Sequence, residues 1–184
     1  MLEARPGKRD EAHRFSRDVR FDVFEADAAI GGLVFDIKSE SATLQVRGET
    51  FAAARARKRQ DERLDQAVRR KLSGGEKPPA NPVLLKDAGG AILAQAEIGA
   101  GGWIIARGGE TLELRRRWAF SRLYDLYRQG WSQALGSVGQ RKFFTTRLHV
   151  DLPSEFDAPF QIFTLALLLD LTFDALGSMS ALNG

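Results

Sequence analysis

Cysteine is absent from this 184-residue chain, which excludes both disulfide stapling and thiolate chemistry. Histidine occurs only as His13 and His149, with no HExxH helix or cysteine pair beside either, so the usual zinc-ligand spacings are missing. There is no GxSxG nucleophile elbow. The glycine-rich run Gly99–Ala100–Gly101–Gly102 leads into another strand-like segment, not into the helix a phosphate-cradling loop requires. No catalytic residue, metal ligand or cofactor is therefore expected. The N-terminus, MLEARPGKRDEAHRFSRDVR, is charged and lacks the apolar stretch of a secretory signal. The expected location is cytoplasmic.

Long apolar runs are scarce as well. The most apolar stretch is Ala158–Leu169, APFQIFTLALLL, interrupted afterwards by Asp170 and Asp174. A helix crossing a bilayer needs about 20 apolar residues, whereas about 10–14 mark a buried core helix. Extending this run to spanning length would place two carboxylates in hydrocarbon, at about 2.5–3.5 kcal/mol each. Leu165, Leu167, Leu168, Leu169, Leu171 and Phe173 point to nearly every side of a helix, so protein must surround it. Asp170 and Asp174, four residues apart, share one face. They are expected at one end of that helix, held by backbone N–H groups or by a strand arginine.

What remains is mostly short alternating segments separated by turn residues about every ten positions. Phe21, Val23 and Ile30 lead to an expected turn at Gly31–Gly32, then strands at Leu33–Ile37, Thr43–Arg47 and Thr50–Arg55. Asp87–Ala88–Gly89–Gly90 and Gly108–Gly109 each join two such segments as hairpin turns. Phe120–Tyr127, Trp131–Val138 and Lys142–Asp151 continue the series. The spacing predicts about twelve antiparallel strands in a meander. A sheet of that length removes its edges by closing, and a barrel so wide needs a filling. The predicted fold is therefore mainly β, a closed antiparallel barrel of about 12 strands around a central hydrophobic C-terminal helix. Residues 1–18 read as a flexible basic tail and 19–184 as one domain. A basic insertion at 56–80 carries a surface helix near 57–72.

The order of parts resembles the tubby C-terminal-like superfamily, which includes tubby, the phospholipid scramblases and the LURP-one-related proteins. The resemblance rests on GLVFDI (Gly32–Ile37), TLQVRGETFAAAR (Thr43–Arg55), VLLKDAGGAILAQA (Val83–Ala96), YRQGWSQALGSV (Tyr127–Val138) and LHVDLPSEFDAPFQIFTLALLLD (Leu148–Asp170). It implies the same barrel around a central helix, and for tubby it implies recognition of anionic lipid headgroups. The chain departs from that pattern in its insertion at 56–80. It also lacks the scramblases' Pro-rich N-terminal region and cysteine cluster.

Charge is unevenly spread. Residues 55–71 hold eight basic residues against three acids, and residues 1–20 hold six against four, in a chain whose net charge is +3. A dedicated nucleic-acid domain would carry its positive charge along a folded face, so nucleic acid is not an expected partner. Arg115 and Arg117, on one face of a strand, with Arg141 and Lys142 at the start of a later one, are the candidate anion contacts. Arg116 takes the other face. The leading expectation is a non-enzymatic module that binds anionic, phosphoinositide-like headgroups, peripheral at the inner membrane surface. The alternatives are an intracellular scaffold whose basic segment docks a protein partner, and an enzyme with a site at the barrel mouth near Asp170.

Overall fold

The computed structural model describes residues 1–7, 18–56, 81–99, 101–119, 121–140 and 147–180, with the backbone alone for 171–180. The alternating segments form twelve strands: β1 (Leu2–Pro6), β2 (Asp18–Glu25), β3 (Ala28–Asp36), β4 (Ser41–Val46), β5 (Glu49–Arg55), β6 (Val83–Lys86), β7 (Ile92–Gly99), β8 (Gly102–Arg107), β9 (Glu110–Arg116), β10 (Leu123–Arg128), β11 (Gly136–Gly139) and β12 (Leu148–Asp151). Each pairs antiparallel with its neighbours in sequence, and β1 pairs with β12, so the meander closes as a barrel. Every second side chain points inward, among them Leu33, Leu44, Leu85, Ile105, Leu112, Leu114, Leu126 and Val150, all buried.

The lumen is filled by α1 (Ala158–Ser180). Every side chain from Phe160 to Asp170 is buried, as a helix surrounded by protein requires. Asp157 starts the helix: its carboxylate accepts the Phe160 N–H at 2.9 Å, an N-cap that satisfies one orphan donor. Pro159 in the first turn costs the helix no hydrogen bond. Arg107 on β8 holds the same carboxylate at 2.8 Å and lies 4.9 Å over the Phe160 ring, which ties the helix start to the wall. Farther along, the Trp103 indole donates to the Leu167 carbonyl at 3.1 Å. No helix among the described residues is long and apolar enough to cross a membrane.

Three expectations need correction. Residues 2–6 are not tail: β1 completes the closure, with Leu2 and Ala4 buried and in register with Val150 and Leu148. The remainder of the expected tail, 8–17, lies outside the described residues, as does the surface helix expected near 57–72. Gly31–Gly32 is not a turn but the middle of β3; the turn is at Ala26–Asp27, both with positive φ. Gly31 serves close strand approach instead, since a Cβ there would meet the Gln45 carbonyl oxygen at 1.8 Å. Finally, β10 and β11 are shorter than the segments expected for them, starting only at Leu123 and Gly136.

Gly102 is held more tightly. Its φ is +153°, and a Cβ would lie 1.9 Å from the Leu114 carbonyl oxygen across the β8–β9 pair. Gly102→Ala is expected to destabilise the fold by about 2 kcal/mol or more, because neither the φ nor the neighbouring backbone can adapt locally. Thermal unfolding of the variant checks this; an unchanged midpoint would contradict the close approach.

Candidate functional site: the basic end of the barrel

A closed meander with an even number of strands sends its connections alternately to the two ends. Among the described residues, the connections after β1, β3, β5, β7, β9 and β11 all leave from one end and carry Lys38, Arg117, Arg122 and Arg147 against Glu40. The opposite end receives 26–27, 47–48, 87–91, 108–109, 129–135 and 152–157, with Arg47 as the one base against Asp27, Asp87, Glu155 and Asp157. The strand order therefore gathers charges that are scattered in sequence. Among the described residues one end of the barrel is basic and the other acidic.

At the basic end the arginine run that closes β9 divides by partner. Arg115 points outward, bonds Glu113 on its own strand and lies 5.1 Å over the Tyr127 ring. Arg117 clasps Asp125 with bonds of 2.9 and 2.6 Å, and the Asp125 side chain is nearly buried. That carboxylate raises the Arg117 pKa further, fixing its charge. Both expected contacts are thus on the β9–β10 surface, each matched to a carboxylate. Arg116 differs. It takes the inward position at the rim and donates to the Tyr124 hydroxyl at 2.9 and 3.1 Å and to the Ala119 carbonyl at 3.1 Å. Its described hydrogen-bond partners are neutral, so its exposed charge is held in place but not cancelled. Arg122 shares this rim and donates to Gln140 at 3.0 Å. Arg141 and Lys142 lie outside the described residues.

Two apolar side chains stand at that rim: Trp118 is 59% exposed and Ile98 is 53% exposed. Neither was singled out from sequence. The signal for Trp118 was an aromatic set directly after three arginines at a hairpin end.

The mouth beneath is closed by charge. Arg55, ending β5, bonds Asp170 of α1 at 2.5 Å, with both side chains only 7% exposed. Its Nε lies 3.3 Å from a Glu40 carboxylate oxygen, and its guanidinium lies 5.8 Å over the Trp103 ring. The expected strand arginine for Asp170 is Arg55. The side chain of Asp174 lies outside the described residues. His149 sits opposite Glu3 in register on the outer wall, and Glu3 also accepts from Arg5 and Arg147, each at 3.1 Å. The Arg5 bonds chiefly hold the Glu3 carboxyl below its usual pKa. His13 lies outside the described residues. Among the described residues no group of three or more His, Asp or Glu is placed to hold a metal ion.

Comparisons with protein-family models, with curated proteins and with solved structures each return no match.

Proposed function

We propose that this protein is a non-enzymatic binding module whose basic barrel end recognises anionic, phosphoinositide-like lipid headgroups on a membrane surface. The segregation of the described charges, Lys38, Arg117, Arg122 and Arg147 at one end and Asp27, Asp87, Glu155 and Asp157 at the other, carries this reading. A basic group near an anionic leaflet contributes about 1 kcal/mol, and the attraction decays over a Debye length of about 8 Å in physiological salt. Gathering such groups at one end lets several act together on one surface. The resemblance to the tubby-like superfamily points to the same ligand class and to a place at the inner membrane surface. Arg116 is the leading contact; Arg122 on the same rim and Arg115 and Arg117 on the adjoining wall add to the field, with Arg141 and Lys142 in the sequence beyond β11.

Co-sedimentation with phosphatidylcholine vesicles, with and without phosphoinositide or phosphatidylserine, tests the proposal. Binding is expected only to anionic vesicles and is expected to weaken steeply with salt. Replacing Arg116 and Arg122 by glutamine should weaken it about tenfold or more. Replacing Arg47 at the opposite end should not. Equal binding to neutral vesicles, or equal losses at the two ends, would refute the assignment.

A further inference from the structure

We infer that Trp118 is an interfacial anchor, so that the barrel docks end-on with this indole in the headgroup layer of an anionic bilayer. The inference rests on the function proposed above and adds the membrane itself as partner, together with an orientation.

The argument starts from the three tryptophans. Trp103 is buried in the core, while Trp118 and Trp131 are 59% and 51% exposed. The exposed two stand at opposite ends: Trp118 in the 117–122 connection and Trp131 in the 129–135 connection. Their surroundings differ in sign. Arg128 covers the Trp131 ring at 5.3 Å but is itself tied to Glu110 and Glu155, in keeping with the acidic end. Trp118 directly follows Arg116 and Arg117 in the chain, at the end that also carries Lys38 and Arg122. An indole has an apolar body and one polar N–H, which suits it to the boundary between headgroups and acyl chains. An anionic surface complements the flanking charge, and Ile98 adds a second apolar group on the same rim.

The connection is also held in shape before any ligand arrives. The Ser121 N–H bonds the Trp118 carbonyl at 2.9 Å, and the Arg117 N–H bonds the Leu123 carbonyl at 3.0 Å. The Ser121 hydroxyl accepts the Leu123 N–H at 3.0 Å, and Arg116 grips the Ala119 carbonyl. A side chain carried on a hydrogen-bonded turn costs little backbone ordering on insertion.

The structure supplies its own control. In the full chain carrying Trp131→Phe, fluorescence comes from buried Trp103 and exposed Trp118. Adding vesicles of phosphatidylcholine with phosphatidylserine or phosphoinositide is expected to shift that emission to the blue, and brominated acyl chains should quench it. In Trp118→Phe both responses should vanish, and vesicle affinity should fall about tenfold as the apolar contact is lost. Trp131→Phe should retain wild-type affinity. If anionic vesicles carry down the protein without a Trp118 response, the anchor is refuted while headgroup binding stands. If soluble inositol phosphates bind as tightly as vesicles, the bilayer is not the partner and the anchor is again refuted. If no vesicle binds, the proposed function falls first, and the anchor with it.

Discussion

A chain ending at Asp157 is expected not to fold. It would retain all twelve strands and lose only α1, yet the lumen would be left without contents. Phe160, Ile162, Phe163, Leu165, Leu167, Leu168 and Leu169 are all buried in the native barrel. Burying a large apolar side chain contributes about 1.5–3 kcal/mol, so these seven together contribute about 10–20 kcal/mol. A domain of this kind is stable by only about 5–15 kcal/mol. The strands cannot recover the loss by collapsing, because a twelve-stranded barrel is too wide for its own side chains to fill. Circular dichroism and limited proteolysis of the truncated chain check the expectation. A protease-resistant barrel lacking the helix would show that the wall is self-sufficient. Phe163→Ala is the milder form of the same experiment, with an expected cost of about 3–5 kcal/mol.

Much of this arrangement was legible because it is local. The apolar run of α1 declares its burial through composition alone, and the hairpins at Asp87–Gly90 and Gly108–Gly109 declare theirs through turn chemistry. With hairpins in series the strand order followed. What escaped was non-local. β1 has two inward positions, Leu2 and Ala4, and only one is large; its identity as a strand comes from pairing with β12 at the far end of the chain. Gly31 and Gly32 read as a turn because glycine marks turns, whereas Gly31 is needed for the close approach of β4. The basic run at 115–117 was visible, but its division was not. Glu113 and Asp125 decide which arginines are cancelled, and Asp125 reaches Arg117 only across the β9–β10 pair. The grouping of Lys38, Arg117, Arg122 and Arg147 at one end follows from strand parity, so it can be read from sequence only once the closed meander is established.

Removing Arg55 is expected to harm the fold more than removing Asp170. Arg55 stands between two carboxylates, Asp170 at 2.5 Å and Glu40 at 3.3 Å. Breaking a buried ion pair by deleting one partner costs about 3–5 kcal/mol, because the other charge is left without compensation. Arg55→Met removes the buried cation that Asp170 and Glu40 share, so it disrupts two contacts at once and the upper part of that range is expected. Asp170→Leu leaves Arg55 with Glu40, which is less buried than Asp170, and the lower part is expected. The double variant should be less destabilised than the sum of the two, since no unmatched Asp170–Arg55 charge remains. Urea midpoints at constant slope give all three values, and a cost below about 1 kcal/mol for Arg55→Met would show that the pair is not structural. The double variant also separates two roles. The leucines around α1 offer little to fix its depth in the barrel, since sliding replaces one apolar contact by another. The Arg55–Asp170 bond and the Trp103–Leu167 bond are directional, and both lie toward the basic end. If the ion pair sets the depth of the helix, the double variant should retain most of its stability while the near-ultraviolet dichroism of Trp103 weakens. If that signal is unchanged, the indole bond and the Arg107–Asp157 tie at the helix start suffice to hold the register.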